Sequence, residues 1–166
     1  MKTLFILRHA KSSWENADWS DFERPLNERG RRAAPFMGAL MREKNFAPAL
    51  ILSSPARRAE ETAALVKAHG EFSAPIRRDE RIYEASPHAL LYLLAETDDE
   101  PASLLIVGHN PGLEGLIKIL TGKLEAMPTA ALAVIDLDIE DWHEISANCG
   151  VLKSLTRPKE EMKASR

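Results

Sequence analysis

The chain has 166 residues, 45% of them hydrophobic and 28% charged, and a formal net charge of −3. That length is one ordinary domain, and the mild acidity excludes a general nucleic-acid binder, which carries a strong basic excess. The lone cysteine, Cys149, excludes an internal disulfide and any thiolate-rich metal cluster.

A single cysteine suits a reducing compartment. The first apolar run is too short for a secretory leader and no stretch is long enough to span a bilayer, so a cytoplasmic protein without a membrane partner is expected. In chain order, Thr3 to Leu7 is apolar without alternation and reads as a strand covered on both faces. Residues 10–26 are polar and read as a long loop. A helix follows over about 28–44, with Asn27 as N-cap and an apolar stripe of Phe36, Met37, Leu40 and Met41. Pro35 conflicts with a straight helix, and either a kink or a late start would accommodate it.

Ala49 to Leu52 is a second strand, closed by Ser53, Ser54 and Pro55. Either serine can cap the next helix, over about 56–68, with Ala59, Ala63 and Val66 on one face. The segment 74–87 is extended and polar. Ser86 and Pro87 then start a helix that turns Leu90, Leu91 and Leu94 inward. Ser103 to Gly108 is a third buried strand. Asn110-Pro111 opens a helix with Leu113, Leu116, Ile117 and Leu120 inside, Asn110 being the expected cap. "ALAVIDLD" and "DWHEISA" alternate more and read as antiparallel or edge strands joined by a turn over 138–141. Strands alternating with helices predict an α/β fold: a single-domain sandwich with a mixed, mainly parallel sheet flanked by helices. The expected domain is 1–156, with 157–166 a C-terminal tail.

Ligand sites in open α/β sheets collect beyond the carboxyl ends of the strands. Arg8-His9, the "SSPARRAEE" turn and Gly108-His109 all stand at such ends. If these strands are neighbours, one pocket receives two imidazoles, one or two guanidiniums and two helix N-termini, a setting for a phosphate dianion. A neutral imidazole can attack phosphorus, while a second, protonated one stabilises the developing charge. A leaving alkoxide also needs an acid; Glu84 is the leading candidate, with Glu15 and Asp21 behind it. Zinc between His9 and His109 is disfavoured by the adjacent arginines and the want of a third ligand. His69, His88 and His143 lack partner motifs and are read as having no role in the site. Arg57 is expected to pair with a helix carboxylate at the surface. Asp21 and Arg24 are expected to pair and order the first loop, in which Trp14 and Trp19 are either rim or anchor.

"LRHAKSSW", "RPLNERGRRAA", "SSPARRAEETA" and "VGHNPGLE" resemble, in order, the motifs of the histidine phosphatase superfamily, which includes the phosphoglycerate mutases; the SixA-like phosphohistidine phosphatase branch is the nearest in pattern. The resemblance implies a phosphoglycerate mutase-like fold and a metal-independent, cofactor-free phosphohydrolase. It implies His9 as the phosphorylated nucleophile, Arg8, Arg58 and His109 as phosphate-binding residues, and Glu84 in the position of the acid. Ala10 stands where the family usually has glycine, and alanine needs a more restricted backbone. The insert that mutases fold over a sugar phosphate is missing, so a shallow site is expected. The expected substrate is a phosphohistidine-bearing protein and the expected state a monomer. Alternatives are a phosphatase of a small phosphoester or nucleotide, and a catalytically silent phospho-ligand binder.

Overall fold

The computed structural model describes residues 1–164. Six strands form one sheet: β1 (Lys2–Arg8), β2 (Leu50–Ser53), β3 (Ile76–Arg78), β4 (Ser103–Gly108), β5 (Leu132–Leu137) and β6 (Gly150–Thr156). Their order is β3-β2-β4-β1-β5-β6. The strands β1 to β4 pair in parallel, while β5 runs antiparallel to both β1 and β6. The helices are α1 (Glu28–Glu43), α2 (Arg57–Gly70), α3 (Pro87–Ala95), α4 (Gly112–Thr121) and α5 (Pro158–Ala164). This is the expected mixed, mainly parallel sandwich.

The unbroken apolar runs of β1 and β4 follow from burial on both faces. Successive side chains point to opposite sides of a strand. Leu4 and Ile6, with Leu104 and Ile106, therefore pack against Leu90, Leu94, Leu113 and Leu116 of α3 and α4. Phe5 and Leu7, with Leu105 and Val107, pack against Met37, Met41, Ala63 and Val66 of α1 and α2. Two cores thus sandwich one sheet.

This layering creates the site. β1 and β4 are neighbours in register, with Arg8 opposite Gly108. The chain leaves β1 toward α1 on one face and leaves β4 toward α4 on the other. Connections that diverge to opposite faces open a crevice at the strand ends.

Four details differ from the sequence reading. Pro35 lies inside α1, which continues through it. In α3 the third fully buried leucine is Leu93, while Leu91 only packs at the margin. The N-cap of α4 is Pro111, because the Asn110 side chain is engaged elsewhere. "DWHEISA" is not a strand: Trp142–Glu144 is a short 3-10 turn closed by a capping box between Asp141 and Glu144. Trp142 fills the core and donates its indole N–H to the Pro101 carbonyl at 2.8 Å, so its apparent alternation reflects a loop plugging the core edge. The sixth strand comes later, as "GVLKSLT", with Val151 and Lys153 facing outward. Beyond it the chain forms α5, which lies against α1. No helix among the described residues is long and apolar enough to cross a membrane.

Candidate active site

His9 and His109 emerge side by side, as the pairing of β1 with β4 requires. The His9 N–H donates to the Gly108 carbonyl at 3.1 Å, and the two ring centroids are 5.1 Å apart. They line a hollow of about 220 Å³ together with Arg8, Arg24, Arg58 and Asn110, rimmed by Trp14.

Each side chain is held from its own element. His9 is buried, and its Nδ1 lies 2.8 Å from the Ala10 carbonyl oxygen. A carbonyl only accepts, so Nδ1 carries the proton and the Nε2 lone pair is free. Ala10 is fixed in turn: its N–H donates at 3.0 Å to the Thr62 hydroxyl, which donates at 2.7 Å to the Arg58 carbonyl of α2. Among the described non-glycine residues with positive φ, Ala10 does not figure, so alanine fits here without backbone strain. Burial pushes the His9 pKa down to about 3; the Ala10 hydrogen bond opposes this, while His109, Arg58 and Arg8 reinforce it. The ring is therefore neutral at pH 7.

His109 is oriented at both nitrogens. Its Nδ1 lies 3.4 Å from an Arg58 guanidinium nitrogen, which can only donate, and its Nε2 lies 2.7 Å from the Ser54 hydroxyl. Burial and then the Arg58 charge push its pKa down to about 4. In this state His109 too is neutral, and protonation at Nδ1 requires Arg58 to turn away.

Three guanidiniums face the two rings. Arg8 donates to the Met127 carbonyl at 3.1 Å. Arg24 donates to Ser12 at 2.6 Å and to Asp21 at 3.0 Å, and stacks on Trp14 at 3.6 Å. Arg58 grips Asp21 twice, at its backbone carbonyl (2.7 Å) and its carboxylate (3.0 Å). The Nε of each of the three is buried without a protein partner. Desolvated cationic donors left in this way suit an oxyanion, most of all one taken in bidentate fashion. The expected distinction between the paired arginines holds: Arg58 is buried at the site, while exposed Arg57 reaches Glu61 at 3.4 Å.

Asp21 is the hub that the sequence ranks too low. Its carboxylate takes hydrogen bonds from Arg24, Arg58 and the Tyr83 hydroxyl, the last at 2.7 Å. Burial alone would raise its pKa, but Tyr83, Arg24 and Arg58 hold it well below the usual carboxylate range. Tyr83 stands edge-on to His109 at 5.6 Å. Its own pKa is pushed up to about 12, by burial and then by Asp21, so it stays a donor.

Glu84 is not brought into the hollow. It is exposed, carries φ +56°, and is absent from the lining. Glu15 is likewise exposed and outside it. His69, His88 and His143 are exposed and away from the hollow.

Asn110 Nδ2 donates to Glu114 at 2.7 Å and to the Met127 carbonyl at 2.8 Å, tying the loop that supplies Thr129 to the start of α4. The sequence offers little signal for Ser54, Thr62 or Thr129. Ser54 sits in the serine turn, where a cap is the obvious reading.

The comparisons agree with this geometry. Residues 4–91 match the model of the histidine phosphatase superfamily (branch 1). An uncharacterised protein of Mycobacterium tuberculosis is 30% identical, covering 92% of this chain and all of its own length. The crystal structure of the putative phosphohistidine phosphatase SixA from Agrobacterium tumefaciens is 29% identical, covers 95% of this chain and 98% of its own, and superposes with a TM-score of 0.82. The protein histidine phosphatase SixA complexed with tungstate shares the fold at 24% identity and a TM-score of 0.82, covering 96% of this chain and 99% of its own. The common architecture is the phosphoglycerate mutase-like sandwich.

Proposed function

We infer that this chain, which belongs to the histidine phosphatase superfamily and is a phosphatase, removes the phosphoryl group from phosphohistidine in a protein. In this reading the His9 Nε2 lone pair attacks phosphorus in line with the bond to the substrate imidazole. The P–N bond breaks and its electron pair returns to the leaving ring, which departs neutral because its other nitrogen has taken a proton from solvent, a proton returned to solvent when the attacking water of the second step is deprotonated. The Nδ1–H bond to the Ala10 carbonyl supports the positive charge left on phosphorylated His9. Water then attacks phosphorus, the P–Nε2 bond breaks, and inorganic phosphate departs. Arg8, Arg58 and Arg24 hold the phosphoryl oxygens. As the dianion draws Arg58 toward itself, His109 becomes free to take a proton and donate to the same oxygens.

One observation carries the choice of substrate. Among the described residues, no carboxylic acid lines the hollow: Asp21, bound to Arg24 and Arg58 beside it, is kept ionised, and exposed Glu84 lies next to Tyr83 instead. A leaving alkoxide needs such an acid, whereas an imidazole does not. The neighbour named as a phosphohistidine phosphatase supports the same substrate class. We place the enzyme in the cytoplasm, as a monomer, with residues 1–156 forming the catalytic domain.

The test compares kcat/KM on a histidine-phosphorylated phosphotransfer domain with that on sugar phosphates, nucleotides and phosphoserine peptides. The reading expects the phosphoramidate to be preferred by at least about a hundredfold, a difference of about 2.7 kcal/mol in transition-state binding. A preference for any phosphoester overturns it.

A further inference from the structure

Alongside the catalytic hollow runs a second, larger one of about 450 Å³, and the two share Lys11 and Thr129. Its walls carry Lys11, Arg29, Arg32, Lys159 and Lys163, contributed by the loop after β1, by α1 and by α5. Its floor is partly apolar, with Ala33, Pro128 and Met162. In a chain of net charge −3 this is a local reversal of sign. Arg32 pairs with Glu28 at 3.0 Å; among the described residues, Lys11, Arg29, Lys159 and Lys163 pair with no carboxylate. Four uncompensated cations beside an apolar floor form a strongly positive field next to the point where the phosphoryl group is attacked.

We propose that this groove docks an acidic, partly apolar segment of the substrate protein flanking its phosphohistidine, and so sets which phosphoproteins the enzyme serves. The proposal rests on the phosphohistidine reading above and deepens it. The size and mixed character of the groove fit a polypeptide face better than a single second phosphate, which needs only a compact cationic cradle. Continuity through Lys11 and Thr129 means that a protein seated in the groove delivers an adjacent phosphorylated ring to the hollow. Long, exposed lysines and arginines at the rim act mainly on encounter rate and partner choice, and salt weakens them.

The experiment uses the full chain and the Arg29→Glu/Arg32→Glu variant, both substitutions lying outside the catalytic hollow. Each is assayed on phosphoimidazole, which needs the hollow alone, and on a histidine-phosphorylated domain with an acidic surface. The variant should lose about tenfold in kcat/KM on the protein, through KM, and stay within about twofold of the wild type on phosphoimidazole. Raising salt from about 0.05 to 0.3 M should erode the wild-type rate on the protein far more than that of the variant. Phosphoimidazole also reports folding, since a misfolded variant loses it too. Equal loss on both substrates, or no loss on the protein, overturns the docking surface while leaving the phosphohistidine reading intact. A wild type inert on both substrates overturns that reading, and the docking surface with it.

Discussion

Replacing Thr62 by valine isolates the chain of contacts that aims the His9 ring. Valine has nearly the shape of threonine, so packing is kept and only the hydroxyl is lost. That hydroxyl is fully buried and takes the Ala10 N–H at 3.0 Å. The Arg58 carbonyl below it stands in the first turn of α2, where the helix ladder also uses it, so its loss is minor. The Ala10 N–H has no such second partner. Ala10 is itself fully buried, so leaving its N–H unpaired should cost about 1–3 kcal/mol. The backbone relieves this by shifting, and the Ala10 carbonyl that fixes His9 Nδ1 shifts with it. Thr62→Val should therefore lower the urea-unfolding free energy by about 2 kcal/mol and kcat by about tenfold. Thr62→Ser keeps the hydroxyl and loses a methyl group; it should cost about 1 kcal/mol of stability and leave kcat within about twofold. Urea titration followed by intrinsic fluorescence, with steady-state kinetics on phosphoimidazole, reads both quantities. A valine variant as stable and as active as the wild type would refute the orienting chain, as would a serine variant that loses activity in equal measure.

Asp21→Asn removes the carboxylate that competes with a phosphoryl group for Arg58 and Arg24, and inhibition assays should show inorganic phosphate binding about tenfold tighter, or about 1.4 kcal/mol. Weaker binding would instead mean that the Asp21 charge is needed to position the guanidiniums. Acid stability should report the buried histidines: folded His9 titrates at about 3 and His109 at about 4, against roughly 6.5 for unfolded histidine. Between those limits the unfolded chain binds more protons, so the stability present above pH 6.5 is lost as pH falls toward 4, by up to about 1.4 kcal/mol per unit for each fully buried ring. His9→Asn should flatten that slope in thermal melts run from pH 7 to pH 4.5, and parallel curves for variant and wild type would contradict the assignment.

Much of the fold and part of the site can be read in the sequence because burial leaves a pattern there. Uninterrupted apolar runs mark β1 and β4 as covered on both faces, and Arg8-His9 and His109 stand out because a polar pair ends each run abruptly. Arg58 rather than Arg57 as the inward residue follows from motif position, and the helix phase of α2 agrees. The parts that escape are those where polar residues act through tertiary neighbours. The pairing of Asp21 with Arg24 is legible and is found at 3.0 Å, but its grip on Arg58 and Tyr83 appears only once α2 and Tyr83 are folded against it. Thr62 reads as one more small residue on the inner face of α2, and only the approach of Ala10 gives its hydroxyl a purpose. Glu84 reads as an acid because it precedes a capped helix, but its side chain is exposed and lies beside Tyr83 rather than among the residues that line the hollow. "DWHEISA" misleads because Trp142 and Ile145 are buried from a loop, where two-residue periodicity carries no information about strands.

The central claim is that His9 carries the phosphoryl group during turnover. Rapid quench of the wild type with a substrate protein labelled with 32P on histidine, under base-stable and acid-avoiding conditions, tests it directly. Label should appear transiently on the peptide containing His9, be lost on brief acid treatment, and be absent from His9→Ala, which should also lack turnover. Wild-type turnover with no labelled enzyme at any time, or a His9→Ala variant that releases phosphate at a near-native rate, would contradict the account.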